Sequence, residues 1–153
     1  MKWASLTGGK DSNSGKKMLK PYIHQVKYYE CDKMGITHHS NYTRFMEEAR
    51  IDFLDQLGYG FEKMEAEGVV SPVVSLECKF IRTTTFKDDI CIKISVAELS
   101  PLKITFAYVM SIDGKEVFTG KSVHCFIADG RPVKIDSRWP ELSEKLHSEL
   151  SSD

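Results

Sequence analysis

The sequence contains one long amphipathic helix, followed by strand patterns that no further long helix separates. Helical spacing from about Asn41 to Leu57 places apolar side chains on one face and charged side chains on the other. The apolar set is Tyr42, Phe45, Met46, Ala49, Phe53 and Leu57, and the charged set is Arg44, Glu48, Asp52 and Asp55. Ser40 or Asn41 is the predicted N-cap, and Gly58 is predicted to end the helix. A helix with one apolar face has to cover another element.

Beyond this helix the apolar residues recur at every second position, which is typical of strands buried on one face. This alternation runs through Val74–Phe80, Ile90–Val96 and Ile104–Met110. The segment Val117–Ala128 is apolar on both faces, as in a central strand. A first strand is predicted ahead of the helix, at Tyr22–Tyr29.

Successive strands without crossover helices favour a mostly antiparallel sheet. The Asp113-Gly114 pair between two of these strands is typical of a hairpin turn. A short helical segment is predicted at Phe61–Glu67, and a tail helix is predicted to begin near Pro140. The predicted fold class is therefore α+β, with an antiparallel sheet of about five strands wrapped around one long helix.

A chain of 153 residues fits a single domain, which we predict at residues 20–150. Residues 1–19 are rich in Gly, Ser and Lys and have no apolar periodicity. They also lack the apolar central region of a signal peptide. We therefore expect them to be a disordered leader or a tail introduced with an expression vector.

Charge and cysteine content narrow the class of protein. The net charge of −1 comes from 21 basic and 22 acidic residues, so neither nucleic acid nor a membrane is expected as a partner. The four cysteines have no metal-ligand spacing and are predicted to be buried free thiols, which fits a reducing, cytoplasmic compartment. No glycine-rich phosphate loop and no metal-ligand motif occurs, so neither a cofactor nor a metal is expected.

The segment VKYYECDKMGITHHSNYTRFMEEAR, residues 26–50, carries the strongest functional signal. It resembles the signature of the 4-hydroxybenzoyl-CoA thioesterase family, whose members have the hotdog fold. The residues that match in place without a gap are Tyr28, Glu30, Asp32, Met34, Gly35, His39, Asn41, Tyr42, Glu47, Glu48, Ala49 and Arg50. Cys31 and the pair Thr37-His38 depart from the pattern. The resemblance extends over about residues 20–148.

The resemblance implies a catalytic role for Asp32 and His39. Asp32 would act as nucleophile or general base, and the backbone N–H of His39 would polarise the thioester carbonyl. Gly35, Asn41 and Tyr42 would contact the substrate, with Gly35 allowing the loop to bend tightly. The chemistry is reasonable because thioester hydrolysis needs a nucleophile and oxyanion donors, and a helix N-terminus offers unpaired N–H groups.

Structural alternatives exist for these residues. Asp32 is also a turn-forming residue, and Asn41 is also an N-cap. The imidazole of His39 is less important to the implied mechanism than its backbone. His38 is expected to face solvent or line the substrate site. Glu47 resembles the base of other hotdog thioesterases, but an ion pair with Arg50 or with a neighbouring subunit is favoured.

Two further histidines, His24 and His124, lie on predicted strands and are expected at the surface or at an interface.

The implied function is hydrolysis of an acyl-CoA or acyl-carrier-protein thioester. The alternatives are a hotdog hydratase or dehydratase and a protein that binds acyl thioesters without catalysis. The residues considered for holding CoA are Arg82, Thr83, Thr84, Lys87 and Lys121, which are equally compatible with ordinary surface. Because one helix cannot cover both faces and the edges of a sheet, a homodimer or homotetramer is expected.

Overall fold

The computed structural model describes residues 18–151. Most of the predicted leader, residues 1–17, lies outside the described residues, whereas Leu19 packs against the core. The strands are β1 (Tyr22–Gln25), β2 (Val69–Val70), β3 (Val73–Phe80), β4 (Asp89–Leu99), β5 (Lys103–Ile112), β6 (Lys115–Cys125), β7 (Ile127–Ala128) and β8 (Arg131–Pro132). The helices are α1 (Asn41–Gln56), α2 (Phe61–Ala66), α3 (Ile135–Arg138) and α4 (Pro140–Ser148), with a 3₁₀ turn at Tyr28–Glu30.

Within the described residues, the main sheet has five antiparallel strands in the order β1-β4-β5-β6-β3. The strands β4, β5 and β6 are neighbours in sequence and in space, joined by tight turns such as Asp113-Gly114. β3 pairs with β6 and forms one edge, while β1 pairs with β4 and forms the other. The α+β architecture with five strands and one long covering helix is as predicted.

Helix α1 lies against one face of this sheet and supplies the centre of the core. Its buried apolar residues are Tyr42, Phe45, Met46, Ala49, Phe53 and Leu54. These contact the strand residues that alternate onto the same face, including Ile92, Phe106, Tyr108 and Phe118. Gly58, with a φ of 82°, follows the helix and ends it as predicted, since positive φ favours glycine.

Two predicted strands are shorter in the structure. β1 ends at Gln25, because the chain then enters the 3₁₀ turn in which the Glu30 carboxylate accepts the Lys27 N–H at 2.7 Å. The predicted strand Val117–Ala128 is interrupted at Phe126, whose side chain is buried against Trp139. After this break β7 pairs with β2 in a separate small sheet.

The prediction that His24 and His124 lie at the surface or at an interface is wrong, because both are buried within the chain itself. Their side chains are 6% and 1% exposed, because both strand positions point toward α1. His124 joins a buried polar cluster in which its Nε2 lies 2.7 Å from Ser122 Oγ, and Ser122 Oγ lies 2.6 Å from the Tyr108 hydroxyl. Arg50 Nη1 donates to that hydroxyl at 3.2 Å. Burial, together with the nearby Arg50 charge, lowers the pKa of His124 to about 4.

The edge strand β3 is unlike the rest of the sheet, because nearly all of its side chains are exposed. Its apolar residues Val74, Leu76 and Phe80 are each about half exposed. The four cysteines of the described chain are unpaired, as predicted, but half-buried rather than buried. No helix of the described part is long and apolar enough to span a bilayer.

Candidate functional site

The loop between the 3₁₀ turn and α1 holds Asp32 in a tight turn. Oδ1 of Asp32 accepts the Met34 N–H at 2.8 Å, and its carbonyl accepts the Gly35 N–H at 2.9 Å. Gly35 has a φ of 78°, a conformation that a residue with a Cβ rarely adopts. Oδ2 of Asp32 has no hydrogen-bond partner among residues 18–151, so one carboxylate oxygen is available for chemistry. Asp32 is thus a turn residue with a free oxygen.

A second segment, residues 84–85, holds this loop in place. Thr37 donates its N–H to the Thr84 carbonyl at 2.8 Å, and their hydroxyls lie 2.6 Å apart. Thr85 donates its hydroxyl to the Gly35 carbonyl at 2.6 Å. These contacts join residues about fifty positions apart in the chain, so the loop geometry depends on the tertiary fold.

The start of α1 is anchored to the carbonyl of Glu30. That carbonyl accepts the His38 N–H and the Asn41 side-chain N–H, both at 2.8 Å. Ser40, one of the two residues predicted for this position, is the N-cap, but its side chain makes no capping hydrogen bond, and Asn41 is the first helical residue. Ser40 Oγ instead lies 2.8 Å from His38 Nδ1.

His39 presents an exposed ring and an unengaged backbone N–H. Its ring contacts those of His38 and Phe80, with centroids 4.2 and 6.4 Å apart. Its carbonyl accepts the Tyr42 N–H at 3.3 Å, whereas its own N–H has no acceptor within the described part of the chain. An unpaired N–H immediately before a helix is suited to binding a partly negative oxygen.

A cavity of about 290 Å³ lies over this loop. Its lining residues are Asp32, Met34, Ile36, Thr37, His39, Tyr42, Phe80, Ile81, Arg82 and Thr83. Three of the five residues predicted for the site, namely Asp32, His39 and Tyr42, are brought together here. Gly35 and Asn41 do not line the cavity; they shape the loop and the helix start that surround it.

Tyr42 forms the inner wall of the cavity. Its ring stacks on Phe118 at 5.0 Å and meets the edge of Phe80 at 5.3 Å. Its hydroxyl lies 2.9 Å from Thr84 Oγ1, and burial raises its pKa above the usual value, so it stays protonated. The wall is therefore aromatic, with a neutral hydroxyl network behind it.

Two residues at the end of β3 and just after it line the cavity, although the sequence did not indicate them as site residues. Phe80 and Ile81 are about half exposed and have no distinguishing motif, so only their position beside the loop reveals them. Of the basic and hydroxyl residues considered for CoA, Arg82 and Thr83 line the cavity. Thr84 is buried within the hydroxyl network.

Glu47 lies outside the cavity lining, and its carboxylate is 3.9 Å from Arg50 Nη2, which confirms the favoured ion pair. Among residues 18–151, no three His, Cys, Asp or Glu side chains are grouped as metal ligands would be.

Comparison with known proteins identifies the family. The model of the thioesterase-like superfamily matches residues 26–146, which is most of the chain. The chain belongs to this superfamily. The match begins just ahead of the Asp32 loop and ends within α4, so it includes every residue that lines the cavity.

Individual relatives agree with this assignment. An Aquifex aeolicus protein that is named as a candidate esterase is 32% identical to this chain. The aligned region covers 79% of this chain and 94% of the relative. Bacillus subtilis YneP, whose name gives it as a candidate acyl-CoA thioesterase, is 30% identical over 76% of this chain and 87% of its own. The DHNA-CoA thioesterase structure from Staphylococcus aureus is 26% identical, with a TM-score of 0.80 over 84% of this chain and 89% of its own. The fold is the hotdog fold that the motif implied.

Proposed function

We propose that this protein hydrolyses acyl-CoA thioesters, with Asp32 and the backbone N–H of His39 as the reacting groups of the enzyme. The observation that carries the proposal is their placement on one cavity: a carboxylate with a free oxygen and an N–H with no acceptor. The resemblance of residues 26–50 to the 4-hydroxybenzoyl-CoA thioesterase signature supports the same assignment. The name of YneP supports CoA as the carrier.

In the proposed reaction the substrate carbonyl oxygen accepts the His39 N–H. As the carbonyl carbon is attacked, negative charge builds on that oxygen, and the N–H stabilises it. Asp32 either removes a proton from the attacking water or attacks first and is released by water in a second step. Both routes consume one water and break the C–S bond, giving a carboxylic acid and free CoA thiol.

The cavity walls indicate how the substrate would lie. Tyr42 and Phe80 offer aromatic surface to the acyl group, next to the reacting groups. Arg82 lies on the same cavity, and its guanidinium engages the chain weakly, with Nη1 3.4 Å from the Glu116 carbonyl. We assign this guanidinium to a phosphate of CoA, since Arg binds phosphate oxygens well.

We further propose that the active species is a homodimer formed through β3. This edge strand leaves its outer backbone groups unpaired within the described chain and exposes Val74, Leu76 and Phe80. An exposed apolar edge favours strand pairing with a second copy. Because Phe80 and Ile81 also line the cavity, the second copy would complete the substrate site.

A thiol-release assay over short, long and aromatic acyl-CoAs tests the proposed function. We expect turnover with at least one class, and the same substrates attached to acyl carrier protein would show whether the carrier is CoA. Binding of acyl-CoA without thiol release in any class would contradict hydrolysis and favour a binding protein.

A further inference from the structure

We propose that His24 is a positioning residue that sets the geometry of the His38–Asn41 segment through Glu30. The effect expected on kcat rests on the proposed function, whereas the effect expected on the geometry of the loop does not. His24 lies on β1, outside the cavity, and acts on the site through the hydrogen bonds of one buried carboxylate.

Both ring nitrogens of His24 face carboxylates. Nε2 lies 2.8 Å from Glu30 Oε1, and Nδ1 lies 3.1 Å from Glu48 Oε2. The two nitrogens of one ring are thus each within hydrogen-bond distance of a different carboxylate. The ring is also fixed by Phe45, whose centroid lies 4.0 Å away.

Glu30 transmits this contact to the site. Its carboxylate is 7% exposed and accepts two bonds at Oε1, from His24 and from the Lys27 N–H at 2.7 Å. Its carbonyl accepts the His38 N–H and the Asn41 side chain. The residue that offers the proposed oxyanion donor, His39, lies between these two attachments. A shift of Glu30 would therefore move that donor.

Glu48 forms the other arm of His24 and does not reach the loop. Its carboxylate is 43% exposed and accepts the Tyr22 hydroxyl at 3.0 Å. The two ring nitrogens thus have different roles. Nε2 contacts Glu30, which holds the loop, whereas Nδ1 contacts Glu48 and so connects β1 to the outer face of α1. This difference allows the positioning role to be separated from a merely structural one.

The test compares His24→Gln with His24→Asn in the full chain. The Gln amide nitrogen reaches the place of Nε2 and keeps a donor toward Glu30, whereas the shorter Asn amide reaches only the place of Nδ1. Both variants lose the ring contact with Phe45, so their thermal stability should fall similarly. We expect kcat for an acyl-CoA found in the thiol-release screen to fall about 10-fold or more in His24→Asn and less than about 3-fold in His24→Gln. KM should change little in either.

Amide hydrogen exchange at His38 is the second readout, and it requires no activity. Its N–H donates to the Glu30 carbonyl, so it should exchange about 10-fold faster in His24→Asn than in His24→Gln. Equal exchange rates and equal kcat values in the two variants would overturn the positioning role. If the native protein hydrolyses no acyl-CoA, the proposed function fails, and the exchange rates alone decide whether His24 holds the loop.

Discussion

The backbone N–H of His39 can be removed without removing a hydrogen bond, which makes it the most direct test of the mechanism. His39→Pro deletes the N–H, whereas His39→Ala deletes the imidazole and keeps the N–H. The N–H has no acceptor among the described residues. Asn41 donates its N–H to the His38 carbonyl at 3.0 Å, so His39 is the second residue of a turn, a position at which proline is favoured. Neither variant should unfold the chain.

The magnitude follows from the role of the donor. Loss of one oxyanion donor typically lowers kcat by about 100- to 1,000-fold. We expect a loss of this size in His39→Pro with little change in KM, because the bond strengthens as charge develops on the oxygen. His39→Ala should lose less than about 5-fold, since the exposed ring contacts other rings but makes no hydrogen bond that the structure records.

The assay is steady-state thiol release by both variants, with thermal melting followed by circular dichroism as the control for folding. If His39→Ala is as inactive as His39→Pro, the imidazole takes part in the chemistry and the role assigned to the backbone is wrong. If His39→Pro melts like the native protein and keeps activity within about 10-fold, the oxyanion donor lies elsewhere.

The remaining predictions concern the carboxylate, the assembly and pH. Asp32→Asn should keep the turn, because its Oδ1 still accepts the Met34 N–H, but it should lower kcat at least about 100-fold. Asp136→Asn is the control: it also alters an aspartate that accepts a backbone N–H, and it should leave kcat unchanged. Leu76→Glu on β3 should give an inactive monomer in sedimentation, while Ile23→Glu on the opposite edge should remain dimeric. The pKa of His124 near 4 lies below that of an unfolded histidine, so its contribution to stability is complete above about pH 6.5 and is lost as pH falls toward 4. In urea unfolding, His124→Gln should therefore lose less stability between pH 7 and 4.5 than the native protein.

Dissociation without loss of activity in Leu76→Glu would contradict the shared site, and native turnover in Asp32→Asn would remove that carboxylate from the mechanism. If His124→Gln loses as much stability between pH 7 and 4.5 as the native protein does, unfolding does not change the protonation of His124.

The sequence determined the elements that depend on local periodicity. The apolar stripe of α1 and the alternation in β4 and β5 reflect contacts along one face, so their spacing can be read directly. The break of β6 at Phe126 could not be read in this way, because an apolar residue is compatible with a continued strand and with a turn into the core. Its burial against Trp139 in the fold decides between them.

For the site, the sequence by itself determined which residues of one continuous motif are the candidates for chemistry, namely Asp32 and His39. It did not determine what surrounds them. Phe80 reaches the cavity because β3 crosses to the far edge of the sheet, and His24 is buried because β1 turns that position toward α1. Both placements depend on pairing between distant segments, and strand order leaves no trace in the local pattern of either strand. The candidate reacting groups were therefore visible in the sequence, whereas the cavity walls and the support of the loop were decided by the tertiary structure.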